Sequence, residues 1–331
     1  MDIPPNKTAY AHFFISCFLW MLIGISLLTL GACRKDKPVN EFPDPGSILS
    51  PDIIIENGVL KKWPNYDVPV SGSITIPDYV TSIADGVFSN YKDLKHVKFP
   101  AGLKSIGARA FQGCSALNNV VLPEQLQSIE EKAFMNCTRM TNISFGAKIT
   151  SMAASVFENC TALQQITLSS SIKTMGERTF WGCKALSKVT LPAQMTTLPK
   201  STFSYCSQLA DVTLPPHLQT IEGAAFWQCS NLKQIELPTT LQSIGSASFD
   251  GCSSLMSITF PASLQQLGES IFHGCDHLDN LTCLAPNPPT FTQNATNPLS
   301  YYRQLTVPSG SKGRYEVAQG WKRCKPIVEI Q

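Results

Sequence analysis

The sequence predicts an α/β repeat solenoid: short coils stacked with a parallel sheet along one side and short helices or turns along the other, capped at both ends. Three observations carry that expectation. Phenylalanine recurs at Phe88, Phe111, Phe134, Phe157, Phe180, Phe203, Phe226, Phe249 and Phe272, a step of 23 residues with no insertion. Three residues later comes a cysteine, at Cys114, Cys137, Cys160, Cys183, Cys206, Cys229, Cys252 and Cys275, with Tyr91 in that slot of the first copy. Three further on stands Leu94, Leu117, Met140, Leu163, Leu186, Leu209, Leu232, Leu255 or Leu278. No single copy can bury its own apolar face, so the copies must stack around one continuous core. At a strand spacing of about 4.8 Å, nine copies make an array on the order of 40 Å long.

Taken from the start, residues 1–32 read as a targeting segment. No charged residue occurs between Phe13 and Ala32, and the run closes on Leu30-Gly31-Ala32-Cys33. That ending resembles a bacterial lipobox, in which small residues precede the cysteine that receives lipid. Cys33 is therefore the expected lipidation site, and residues 33–50, opening with Arg34-Lys35-Asp36-Lys37, the expected tether. A transmembrane anchor is the competing reading. About 20 apolar residues could span a bilayer, and the positive charge lies mostly after the run.

Residues 51–73 are expected to form an N-terminal cap. Ile53 to Leu60 reads as a hairpin turning at Asn57-Gly58, a pair that tolerates positive φ at both central positions. Residues 74–281 hold the nine copies. In each, a segment such as Val212-Thr213-Leu214 alternates in, out, in, the period of a short strand. A proline commonly ends it (Pro77, Pro100, Pro123, Pro192, Pro215, Pro238, Pro261), with Gly146 and Ser169 as departures. Leu218 and Ile221, three apart, then lead into an expected short helical turn at Ala225-Phe226. Gly or Asn two residues after the Phe suits a left-handed cap. Residues 282–331 are expected to close the core with further strands, at Leu281-Thr282-Cys283 and Leu305-Thr306-Val307, and with the apolar tail from Tyr315 to Ile330.

These residues resemble the BspA-type leucine-rich repeat of bacterial surface proteins. Leu232-Lys233-Gln234-Ile235-Glu236-Leu237-Pro238, Ser243-Ile244-Gly245 and Ala247-Ser248-Phe249 match its motif, and the likeness covers residues 74 to 281. The resemblance implies a recognition or adhesion protein at the cell surface or outer membrane. It names no partner, because fold does not fix ligand.

Composition narrows the function further. In 331 residues only 15% are charged and the net charge is +2, with no basic block, so nucleic acid is not expected as a partner. The cysteine column runs in a line, whereas metal ligands must converge on a point, so no metal and no cofactor is expected. Buried cysteine behaves as a small hydrophobe, and stacked side chains running parallel make poor bridge geometry. The column is therefore read as structural, its thiols reduced, and a serine in it as a buried hydroxyl with no partner. Cys283 and Cys324 fall outside the column, and a disulfide between them stays open. His273-Gly274-Cys275-Asp276-His277 carries ligand-type residues, but Cys275 belongs to the column. No nucleophile, base and acid converge anywhere, so no enzyme is expected.

Two surfaces remain as candidate binding sites. The outward strand positions form a polar, nearly uncharged face, with Gln165, Thr167, Lys188, Thr190, Asp211 and Thr213 at its centre. Threonine also suits exposed strands for its own reasons. The second candidate is Trp181, Tyr205 and Trp227, one or two residues after the core Phe on three successive copies, where other copies hold Ser89, Gln112, Glu158, Asp250 or His273. Aromatics at an otherwise polar position suggest a platform for a protein or glycan, against a bland role in packing on a neighbouring loop. The reading is a non-catalytic, lipid-anchored surface protein binding an extracellular protein or glycan. Its rival is a carbohydrate-binding accessory lipoprotein for nutrient capture.

Overall fold

The computed structural model describes residues 49–292 and 304–331. The apolar segment and Cys33 lie outside the described residues. From Leu49 onward the chain winds as a solenoid whose successive coils pair in parallel.

Each coil contributes two short strands. The three-residue strands at the alternating segment pair coil to coil, as in Gln165–Thr167 with Lys188–Thr190 and then Asp211–Thr213, with their middle residues Ile166 and Val189 buried. A second line of parallel pairing follows the proline turn. It is built from two-residue strands such as Ser105–Ile106, Ser128–Ile129 and Ser151–Met152, whose apolar member points into the core. The solenoid thus carries parallel strand pairing on two of its sides, divided into six sheets, where one side had been expected.

The third side holds turns, one of the two forms expected there, and not the helical turn expected at Ala225-Phe226. The segment around each Phe is a run of turns, and among the described residues the only α-helix is Lys312–Val317. Its backbone explains why. Residues two after the Phe are left-handed, as expected: Asn90, Gly113, Asn136, Asn159 and Gly182 have φ between 59° and 73°. So, however, are residues two before it, including Arg109 at 56°, Lys132 at 59°, Arg178 at 57° and Ala224 at 57°. Two left-handed residues four apart leave no room for a helical turn to propagate. The amides are satisfied in another way. Phe111 N–H donates to Ala133 O of the next coil at 2.8 Å, while Gln112 N–H turns back to Arg109 O at 3.1 Å. Inter-coil and intra-coil bonds alternate, so the turns act as a third ladder.

Inside, the nine phenylalanine rings form one stack, with centroids 4.9–5.8 Å apart and planes within 21° of parallel. Gly146, in the proline slot, allows a close approach. A Cβ there would lie 2.4 Å from Pro123 O and 2.5 Å from Glu124 Cα. At the N-terminal end Ile54–Glu56 and Val59–Lys62 pair antiparallel about Asn57 (φ 51°) and Gly58 (φ 74°), and Leu60 pairs in parallel with Ile83. At the other end Ser257–Phe260, Asn280–Cys283, Gln304–Val307 and Ile327–Glu329 make one parallel sheet, with Tyr315 and Trp321 fully buried nearby.

Pairing on the three-residue-strand side is interrupted between His96–Lys98 and Asn119–Val121, between Asn142–Ser144 and Gln165–Thr167, and on both sides of Leu232–Pro238. One of these junctions also lacks a bond that the others keep. On the three-residue-strand side, the amide after the Leu column donates to its counterpart one coil back, as in Asn118 to Lys95 (3.1 Å), Ser187 to Gln164 (3.1 Å), Ala210 to Ser187 (3.0 Å) and Met256 to Lys233 (3.2 Å). Lys233 N–H makes no such bond to Ala210 among the described residues, and Leu232–Pro238 forms no strand.

Candidate functional site

The cysteine column is built as a core element. All eight thiols are buried and reduced. Each Sγ donates to the carbonyl of the Phe in the preceding coil: Cys114 to Phe88 at 3.0 Å, Cys183 to Phe157 at 3.2 Å, Cys275 to Phe249 at 3.0 Å, and the others between. This corrects the expectation that a buried hydroxyl there would lack a partner. An acceptor is in place at every step. Burial pushes the thiols up, to about 12 at Cys114, Cys160 and Cys275, with the other five also raised by the same cause. A thiol held protonated in this way is a poor nucleophile and a poor metal ligand. No disulfide joins Cys283 and Cys324, and the Tyr315 hydroxyl sits 3.1 Å from Cys283 Sγ while donating to Ala285 O at 2.7 Å.

His273 and His277 are turned to local partners. His273 Nδ1 lies 3.3 Å from Asp250 Oδ1, and His277 Nδ1 2.7 Å from Ser253 O. Among the described residues no three His, Cys, Asp or Glu side chains gather as a cation site.

The strand-face residues are brought together. Gln165, Lys188 and Asp211 are in register on adjacent strands, as are Thr167, Thr190 and Thr213, giving two exposed rows of three. Lys188 Nζ lies 2.6 Å from Asp211 Oδ2, both well exposed. On earlier coils the face bonds to itself: Thr141 Oγ1 donates to Asn118 Oδ1 at 2.7 Å, and Asn142 Nδ2 to Asn119 Oδ1 at 3.2 Å. There the polar residues serve one another, as exposed strands do.

The aromatic residues also come together, as a ridge. The Trp181 and Tyr205 rings meet edge-on at 5.2 Å, and Tyr205 and Trp227 at 4.8 Å with planes tilted by 56°. All three are half-buried. Sequence reasoning missed the far end of this row. The Arg178 guanidinium lies over the Trp181 ring at 5.0 Å and reaches Glu158 Oε1 at 3.2 Å. The signal was Arg178 three residues before Trp181, in a left-handed slot that turns its side chain to the same corner. Tyr205 itself has φ 61°, a conformation that bulky residues rarely adopt. In the neighbouring coils that slot holds Asn159 and Gly182 on one side and Gln228 and Gly251 on the other.

The geometry defines a class: a β-solenoid of 23-residue coils with a Phe stack and a thiol ladder inside. Residues 70–186, 127–235 and 220–312 match the family model for the BspA type leucine rich repeat region, in six copies, and the chain belongs to that family. Among solved structures it is similar to a leucine-rich repeat protein from Bacteroides ovatus, with a TM-score of 0.69 and 22% identity over 86% of this chain and 74% of that one. Looser likenesses are the T. pallidum leucine-rich repeat protein (TM-score 0.49, 25% identity, 62% of this chain and 86% of that) and a leucine-rich cell surface protein of Faecalibacterium prausnitzii (0.41, 20%, 87% and 96%). No curated protein matches the chain.

Proposed function

We propose that this protein is a non-catalytic recognition protein of the cell surface, held to the membrane by lipid on Cys33, that binds an extracellular protein or glycan through its solenoid surface. The observation that carries the reading is the ridge from Arg178 through Trp181 and Tyr205 to Trp227. It places half-exposed aromatic rings one or two residues after the core Phe, where most other coils hold polar residues or glycine and one holds Met135. Half-exposed indole and phenol groups offer apolar area with a polar edge, which suits a sugar ring or a protein loop. Membership of the family supports a surface location, and outer-membrane placement fits the lipobox. The N-terminal hairpin and the C-terminal sheet would then act as the caps that an array needs to stay soluble.

The test is binding of the full chain to a glycan array and to a panel of extracellular proteins, repeated with Trp181→Ala and Trp227→Ala together. Binding should fall by about 0.5–1.5 kcal/mol for each aromatic contact beyond lost area, with thermal stability kept. A sugar ligand would favour the nutrient-capture variant of the reading. A large fall in thermal stability, with ligand binding intact at any temperature where the fold survives, would make the ridge structural. The grid around Lys188 and Thr190 would then become the recognition face.

A further inference from the structure

The interrupted junction between Asp211–Thr213 and Gln234–Leu237 opens a cavity of about 680 Å³. Its walls are the two facing segments, Ala210–Leu214 and Gln234–Thr239. Asp211–Thr213 pairs with Lys188–Thr190 on one side only, and Gln234–Leu237 belongs to no strand. The same two coils stay joined elsewhere: Ile221 pairs with Ile244 on the second side, and the Phe226 and Phe249 rings stack at 5.3 Å. The opening is therefore a wedge on one face. Val212, Leu214 and Leu237 are half-exposed in it, whereas Val189 and Leu191 in the preceding coil are buried. Glu236 and Asp211 stand exposed at its rim.

We propose that this wedge binds an extended polypeptide segment of alternating apolar and basic residues, which pairs main chain to main chain with the open strand edge. Two edges that lack their ladder partner call for a backbone, since an unpaired strand edge is a template for another chain. Side chains of an added strand alternate in direction. One set would fall on Val212, Leu214 and Leu237, which an apolar residue covers, and the other would emerge beside the Glu236 carboxylate, which a lysine or arginine complements, Asp211 being already paired with Lys188. The site goes beyond the aromatic ridge and does not depend on it.

Calorimetric titration of the full chain in detergent with a capped hexapeptide of alternating valine and lysine is the direct test, alongside hydrogen exchange read at single amides. Without peptide, the amides of Lys233, Gln234 and Glu236 should exchange much faster than those of Asn118 and Ala210, and peptide should slow them. Binding should weaken by about tenfold or more with Glu236→Lys and with a peptide N-methylated at alternate residues. It should be unchanged in the variant carrying Trp181→Ala and Trp227→Ala. Protected amides in the free protein would overturn the proposal, because the junction would then be closed. So would equal binding of the N-methylated peptide, indifference to Glu236→Lys, loss of binding in the tryptophan variant, or no binding at millimolar peptide.

Discussion

Raising the pH through the thiol range perturbs the core of this protein and little else that is buried. In an unfolded chain cysteine ionises near about 8.5. In the folded chain Cys114, Cys160 and Cys275 are pushed up to about 12 by burial. The neutral thiol is the form that the core accepts, so the stability each one contributes is fully present below about pH 8.5. It is lost as pH rises from there towards 12, because the unfolded chain releases the proton first. At pH 10 the difference is about 1.5 pH units, or about 2 kcal/mol per thiol. Three such thiols make about 6 kcal/mol, and the other five column thiols add in the same direction, against a typical total of about 5–15 kcal/mol. Urea unfolding of reduced protein, followed by circular dichroism, should show the midpoint falling steeply between about pH 9 and pH 10.5. The variant Cys160→Ala isolates the cause from lysine and tyrosine titration. It should be less stable than the parent at pH 7 and lose less stability by pH 10, so the two curves converge. Parallel curves for parent and variant would refute the reasoning.

Other outcomes follow from the same geometry. Cys183→Ser should destabilise by only about 1 kcal/mol, since the Phe157 carbonyl can accept from a hydroxyl, and chemical denaturation reads this directly. Alkylation of the native protein should label few of the ten described cysteines, all buried, and denaturation should expose them all to reagent. Tyr205→Gly should relieve the strain of φ 61° by about 1 kcal/mol while removing the centre of the ridge, so that thermal stability holds or rises as ligand binding falls. Mass spectrometry of the membrane fraction should find lipid on an N-terminal Cys33, and an intact Met1 in the mature protein would exclude it.

Much of this was legible because a repeat writes its core many times over. The Phe, Cys and Leu columns fixed the coil length, and Asn57-Gly58 located the hairpin, since each signal rests on local stereochemistry. The second line of pairing was not legible: strands of two residues, such as Ser105–Ile106, are too short to show a period. The helical turn at Ala225-Phe226 was misread for a clearer reason. Ala225-Phe226 with Cys229 has helical spacing, and residues such as Arg109, Lys132 and Ala224 are good helix formers. Stacking holds those same residues left-handed, because the Phe amide then reaches the next coil, and tertiary hydrogen bonds outweigh propensity. Leu232–Pro238 shows the opposite failure. It matches the repeat motif closely and yet forms no strand, since pairing belongs to two coils and not to one sequence. Of the candidate site, the side chains were legible as departures from their columns, but Arg178 over Trp181 and the open junction at Lys233 required coordinates.

In an array each coil is a control for its neighbours, and this gives departures from the pattern a weight they lack in a globular domain. Drift alone would scatter them. Here a strained tyrosine, an arginine stacked on an indole, and a junction without its ladder bond all fall between Glu158 and Pro238. Each of them lowers local stability: left-handed φ at a bulky residue, a carboxylate buried beneath Arg178, and half-exposed Val212, Leu214 and Leu237. Other coils hold the same backbone without a left-handed tyrosine or an arginine stacked on an indole, so the fold does not require those two features. Sequences break their own rules at sites where another demand outweighs stability. A solenoid has one such demand available, which is contact with something outside itself, and these coils are where that contact is best sought.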